Sequence, residues 1–320
     1  MGIRGLNTFI KKICPECIIT KKINNYSGKV FGIDASIFLY KYRHISNIDE
    51  SCKNSHITGF INRIKYYHNF NITPIFIFDG IPPEQKKITL KKRQCIKKKI
   101  YEKIEILQDL IPETELEQLE IEKEICNLSR QIINVTKTHI SEVKTLLDLL
   151  GIKYYDAPDE AEKYIVFLQQ NNIIDYIVTD DTDIFTFGGI NVLKSTIKND
   201  IIETNIGMLL EKMNYTKEKF IEFCILSGCD YLPYVPNIAI NTVYTLFKKH
   251  NTIQDVITLN KYNFPSEYTI ENLESIRNIF LKFEYNIPEV IINKVINKEK
   301  LTEFLKDMNI VNYTKIVDKF

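Results

Sequence analysis

Two short apolar runs, residues 29–34 (KVFGID) and 74–80 (PIFIFDG), constrain the fold more than anything else in the chain. Each is a continuous β-rich stretch, the pattern of a strand covered on both faces of a parallel sheet. Between them, residues 57–70 carry the apolar spacing of an amphipathic helix. Strand, helix, strand is a βαβ unit, and both strands end on an acid, Asp34 and Asp79. The carboxyl ends of parallel strands share one rim, which is where open α/β sheets bind ligands. One aspartate after a strand is a common helix cap and says little. Two from a single unit need a further reason.

Residues 156–188 (DAPDEAEKYIVFLQQNNIIDYIVTDDTDIFTFG) supply that reason. They hold Asp159, Glu160, Glu162, Asp180, Asp181 and Asp183 in two bursts, around helical spacing at 164–170 and a short strand at 175–178. Glu160 and Glu162 thus open a helix, and Asp181 and Asp183 sit just past a strand. Asp230, in GCDY, stands at the end of a further helix predicted over 220–227. So many acids brought together repel and stay partly protonated unless cations neutralise them. Asp34, Asp79, Glu160, Glu162, Asp181, Asp183 and Asp230 are hard oxygen donors with no paired His and no matching Cys. They suit Mg²⁺ or Mn²⁺ and not zinc. Two such ions about 4 Å apart would activate water and stabilise the leaving oxygen of a phosphodiester.

After Pro82 and Pro83 the charge becomes lopsided. From 86 to 103 there are nine Lys or Arg against the single acid Glu102, and from 113 to 124 six glutamates with Lys123. Lys86, Arg93 and Lys97 fall seven and four residues apart, so one helical face can carry all three. A solvated hairpin laced with salt bridges is the plain reading of such runs. A basic helix rooted just after Asp79 instead invites a backbone phosphate. The 320 residues carry a net charge of only +1, so any basic surface is local. No run of about 18 apolar residues provides a membrane span, and MGIRGL lacks a secretory signal. An odd number of scattered cysteines, seven, reads as a reduced intracellular protein. Cys14-Pro-Glu-Cys17 is a CxxC without a second pair, and reads as incidental. Heavy use of Ile, Asn and Lys is what an A/T-rich genome, such as that of a large DNA virus, encodes. Elsewhere the spacing predicts a polar helix and loop over 1–28, a helix over 35–42, and another over 136–150. A small β stretch at 191–204 and a helix–turn–helix at 231–250 follow, and then polar helices to Phe320.

MGIRGL, FGIDAS with Tyr40, FDGIPPEQK, KKR at 91–93, VTKTH, APDEAE, TDDTD with TFG, and GCDY occur in one order over about residues 1–250. In these motifs the chain resembles the flap endonuclease family. The resemblance implies an α/β, PIN-like 5′ nuclease fold, with a mixed, mostly parallel sheet flanked by helices. It also implies a helical arch and a C-terminal helix–two-turn–helix region. The implied activity is Mg²⁺-dependent cutting of branched DNA near a single-strand/duplex junction, with 5′ exonuclease activity, in replication, repair or recombination. Two ions are implied, with Mn²⁺ as a substitute, held by Asp34, Asp79, Glu160, Glu162, Asp181, Asp183 and Asp230. Lys86 and Arg93 match the basic pair that holds the scissile phosphate, and Tyr40 the aromatic that stacks on the nucleotide near the cut. Gly2 matches an N-terminal glycine beside the substrate, and Lys97 joins Lys86 and Arg93 as a DNA contact. Asp180 replaces a family glutamate and supports the ligands without being one.

The expected organisation is a single nuclease domain over 1–320. Within it lie an N-terminal region (1–99), the arch (82–135), an internal region (136–250) with the helix–two-turn–helix at 218–250, and a helical extension (251–320). The chain departs from the family in a longer, acidic arch segment over about 100–130. In the helix–two-turn–helix, the family's GIGPKRA becomes Asn237-Ile238-Ala239-Ile240-Asn241-Thr242-Val243, without its glycines and basic residues. No basic tail or sliding-clamp motif follows. The expected partner is DNA with a 5′ single-strand flap, met by a monomer without a membrane, in the nucleus or another site of replication, such as a viral factory. A junction-resolving or repair-incision nuclease of the same superfamily is the near alternative. A weakly hydrolytic DNA-binding recombination factor is the distant one.

Overall fold

The computed structural model describes residues 2–48, 53–195, 200–288 and 296–320. Seven strands, β1 (Ile18–Lys22), β2 (Val30–Asp34), β3 (Thr73–Phe78), β4 (Tyr154–Asp156), β5 (Tyr176–Val178), β6 (Val192–Ser195) and β7 (Asp200–Thr204), form one sheet. Its order is β1-β7-β6-β5-β2-β3-β4. β2 runs parallel to β3 and β5, and β5 parallel to β6, while β7 is antiparallel to both β6 and β1. This is the mixed, mostly parallel sheet expected. The central strands are almost wholly apolar and buried, as covering on both faces requires. β1 falls inside a stretch expected to be helix and loop. Its Ile-Ile-Thr-Lys-Lys sequence is too short and polar to announce a strand, and it is held by its register, Ile18 opposite Thr204.

The helices, in chain order, are α1 (Leu6–Ile13), α2 (Ala35–Ile48), α3 (Ser55–Asn69), α4 (Lys87–Gln108), α5 (Glu115–Gln131), α6 (Lys137–Leu149), α7 (Ala161–Gln170) and α8 (Asp183–Phe187). There follow α9 (Ile206–Met213), α10 (Lys217–Gly228), α11 (Ile240–Phe247), α12 (Ile253–Ile257), α13 (Ile270–Leu281), α14 (Lys298–Asp307) and α15 (Tyr313–Val317). The chain divides into two compact units. One comprises residues 1–35, 67–89 and 155–290, and the other 36–66, 90–154 and 291–320.

The first unit contains β1 to β3 and β5 to β7 and a core whose fully buried aromatics include Phe9, Phe220, Phe223, Phe247 and Phe280. Phe9 and Phe223 lie 5.2 Å apart, within the range of favourable aromatic pairs. Residues 231–250, expected as a helix–turn–helix, hold one helix, α11, and the helix before the turn is α10, which already ends at Gly228. In that turn Asn237 takes φ 61°, a left-handed conformation that asparagine tolerates far better than most residues. Cys14 and Cys17, read from the sequence as incidental, are instead joined in a disulfide. A 3₁₀ turn over Pro15–Cys17 brings their Cα atoms to 5.4 Å, within bonding reach, and both are buried.

The second unit is helical. Tyr42 of α2 packs tilted against Phe38 and edge to face against Phe60 of α3, and Val143, Leu146 and Leu147 of α6 are buried. α4 and α5 form the hairpin that the charge runs foretell. Thr114 caps α5 through the Glu117 N–H, and Lys103 bridges to Glu124 at 2.7 Å. No residue of α4 is buried, and in α5 only Leu128 is. Among the described residues no helix is long and apolar enough to cross a membrane.

Candidate active site

All seven acids lie in the first unit. Asp34 ends β2, and Asp79 follows β3. Glu160 is the residue before α7 and Glu162 is in its first turn, so the helix N-terminus faces both with positive partial charge. Asp181 lies in the turn after β5, Asp183 opens α8, and Asp230 follows α10. The turn is self-locking. The Thr179 hydroxyl donates to Asp34 at 3.1 Å and accepts from the Asp181 N–H at 3.1 Å, and the Asp183 N–H donates to Asp181 Oδ1 at 3.0 Å. The Ala161 N–H donates to Asp79 Oδ1 at 2.9 Å, which ties the exposed acid after β3 to the start of α7.

Asp34, Glu160, Asp181 and Asp183 are buried. Burial, and then the charges of Asp34, Asp79 and Asp181, push the Glu162 carboxyl well above the ordinary glutamate range. Burial, followed by Asp181 and Asp230, does the same to Asp183. Glu160 is also raised by burial, against the opposing pull of Lys86 and Tyr231. Its two oxygens accept from the Lys86 ammonium and the Tyr231 hydroxyl. Lys86 also stands 4.0 Å from Asp230 Oδ2. Burial pulls Lys86 down, yet Glu160 and Glu162 outweigh it and hold the ammonium firmly protonated.

A divalent ion suits this donor set. Every candidate ligand is a carboxylate, several are disfavoured as anions, and the buried Asp183 Oδ1 has no hydrogen-bond partner. Among the described residues no three acids form a ready-made cage. Lys86 is the cation paired with Glu160. Gly2 presses on the same rim with φ 85°, where a β-carbon would collide with Asp181 and Thr182. The sequence reading passed over Tyr231 as a site residue. The signal was present, since it directly follows Asp230 in GCDY.

Lys86 closes a 3₁₀ turn over Glu84–Lys86 and so precedes α4. Tyr40, Arg93 and Lys97 belong to the second unit. Tyr40 is exposed on α2. Arg93 and Lys97 share the half-buried stripe of α4 with Ile100, Ile104 and Leu107, as their spacing predicts. The Lys97 ammonium donates to the Ile133 carbonyl at 3.0 Å. The Lys194 ammonium reaches the carbonyl of Asp180 at 3.5 Å.

Residues 1–100 match the XPG N-terminal domain and residues 151–230 the XPG I-region. Flap endonuclease 1 of Enterocytozoon bieneusi (strain H348) is 32% identical over 290 residues, covering 86% of this chain and 77% of that protein. Flap endonuclease 1 of Plasmodium knowlesi (strain H) is 32% identical over 353 residues, covering 93% of this chain and 57% of that protein. The chain spans about half the length of the curated Plasmodium relatives it matches. Among solved structures, the catalytic core of Rad2 in complex with DNA substrate (complex III) superposes with a TM-score of 0.76 at 22% identity. That match covers 99% of this chain and 98% of the other. Flap endonuclease-1 from Methanococcus jannaschii gives 0.70 at 22%, with 94% of each chain covered. At such identity the two structures speak for the fold.

Proposed function

Because the chain belongs to the flap endonuclease family, we propose that it hydrolyses phosphodiesters of branched DNA at the junction of a 5′ single-strand flap and a duplex. Asp34, Asp79, Glu160, Glu162, Asp181, Asp183 and Asp230 are assigned to two Mg²⁺ ions, for which Mn²⁺ can substitute. When bound, such ions supply an activated water and a Lewis acid at the leaving oxygen. The protein's own part is to fix the acids and to exclude competing geometry. Lys86 leaves Glu160 and turns its charge to the scissile phosphate, where negative charge builds in the transition state. Arg93 is assigned to the DNA backbone and Tyr40 to stacking on a nucleotide, as the family resemblance implies. Gly2 keeps the N-terminal segment beside the rim free of a side chain that would block Asp181.

One observation carries this reading: a rim of seven carboxyls, four of them buried, with Lys86 as its cation. Such charge is a standing electrostatic cost in a protein that makes no use of it. The deciding experiment is cleavage of labelled flap, nick, splayed-arm, four-way and single-strand DNA, with Mg²⁺ and with chelator. Flap cutting near the junction, lost in chelator, is the expected result. Cutting of four-way junctions alone would move the chain to the junction-resolving branch. Binding of every substrate with no cleavage of any would overturn the enzymatic reading.

A further inference from the structure

Arg4 and Tyr234, both in the first unit, form a cation–π pair that no step above uses. The guanidinium carbon lies 4.8 Å from the ring centroid. Arg4 is exposed and Tyr234 is 56% exposed. Among the described residues the guanidinium has no carboxylate partner. The guanidinium carbon lies over the ring, and its N–H donors can serve an acceptor outside the protein.

The backbone builds this pair deliberately. The Arg4 N–H donates to the Gly228 carbonyl at 3.0 Å. Gly228 has φ 114°, and a β-carbon there would lie 2.7 Å from the Tyr234 ring. Glycine at 228 is thus what lets the ring close over the turn. Tyr234 is also pinned in sequence, between the buried Leu232 and Val235, with Pro233 and Pro236 restricting the chain on either side. A side chain held in this way loses little freedom when it binds.

Chain length places the pair beside the acids. Arg4 follows Gly2 by two residues, so their Cα atoms are within about 7 Å, and Gly2 abuts Asp181. Tyr234 follows Asp230 by four residues, a span of at most about 14 Å. DNA brought to an acidic rim needs cations at its flank. An arginine held over an aromatic ring presents a planar fork of donors suited to phosphate oxygens. Residues 237–247 contain no Lys or Arg that would otherwise serve.

We propose that Arg4, oriented by Tyr234, grips a backbone phosphate of the duplex next to the acid rim. This rests on the reading of the chain as a branched-DNA nuclease. Tyr234 is the positioning residue and Arg4 the phosphate contact. The test uses the full chain and a labelled flap with a long duplex arm, with Ca²⁺ in place of Mg²⁺, across a salt series. Arg4→Gln should make the slope of log affinity against log salt shallower by about 0.9, the value for one phosphate contact. Affinity should fall roughly threefold to tenfold at moderate salt. In Mg²⁺ the loss should be carried by KM and not by kcat. Arg4→Lys should restore the slope but only part of the affinity, since an ammonium cannot present the planar fork. Tyr234→Leu should weaken binding at parental slope, and in combination with Arg4→Gln should add little further. Tyr234→Phe, which keeps the stacked ring, should behave as the parent. A parental slope and affinity in Arg4→Gln, in a preparation whose parent binds and cuts flaps, overturns the pair's role alone. A parent that neither binds nor cuts branched DNA overturns the proposed function and the pair's role with it.

Discussion

The acid rim of the first unit hides most of its charges and the α4–α5 hairpin of the second displays them. Around the rim Asp34, Glu160, Asp181 and Asp183 are buried, held by Thr179, Tyr231 and Lys86. In the α4–α5 hairpin the Lys and Glu runs are exposed, and apolar residues such as Ile111, Leu116 and Leu119 are exposed with them. Charge in the two places therefore has different physical weight. A buried carboxyl acts at short range in a weakly screened setting, whereas an exposed ammonium is screened within about 10 Å at 0.1 M salt. Substitutions should accordingly be severe and local at the rim, and graded and salt-dependent along the hairpin.

The largest expected effect is at Asp181. Asp181→Ala should lower the single-turnover rate on the order of 10³-fold, with DNA binding unchanged or improved, because the acid repels phosphate while serving the ion site. Equal losses in rate and affinity would break the comparison. Arg93→Ala should cost about 10²-fold, the scale for one donor to developing charge. A parental rate there would leave the α4 charge as a solvated face.

The units should also answer pH with opposite signs. The raised carboxyls Glu160, Glu162 and Asp183 bind protons in the fold that the unfolded chain releases. Their burial thus weighs against the fold at neutral pH and is relieved as pH falls toward their raised values. Asp183→Asn, read by calorimetry in chelator, should raise the melting temperature by about 2–4 °C while removing activity. In the second unit His56 is buried, its Nε2 2.8 Å from Glu142 and its ring 4.9 Å from that of His139. Burial pulls both histidines below the ordinary value, Arg43 reinforces it, and Glu142 opposes it. The unfolded chain then binds protons that the fold refuses, so stability is complete above about pH 6.5 and declines below it. His56→Gln should flatten that acid limb. An unchanged limb would assign the decline to other groups.

The rim was legible in the sequence because its acids sit where strands end, and strand ends are fixed by apolar runs such as VFGID and TPIFIF. Its internal bonds were not. That Lys86 lies before the helix and closes on Glu160 depends on a 3₁₀ turn that two prolines and a glutamate do not announce. β1 was missed because pairing with β7, not propensity, makes it a strand. The Cys14–Cys17 bond was missed because spacing alone does not reveal whether a turn brings two sulfurs together.

The smallest expected effect concerns the turn between α10 and α11, where the chain lacks the glycines and basic residues of its family. Asn237 already holds the left-handed conformation at φ 61°, so the backbone path survives the loss of glycine there. Ala239 precedes α11 without a side-chain cap, Asn241 is exposed and Thr242 half-buried. What is missing is charge and close approach, and not the turn itself. The combined variant Asn237→Gly, Ala239→Gly, Asn241→Lys and Thr242→Arg should therefore fold as the parent does. On a flap with a long duplex arm it should steepen the salt slope by roughly one to two units, since each phosphate contact contributes about 0.9. The gain should be additive with the loss in Arg4→Gln if the two sites hold separate phosphates, and less than additive if they compete for one. An unchanged slope in the combined variant would mean that this turn never meets DNA, and that the duplex is held elsewhere.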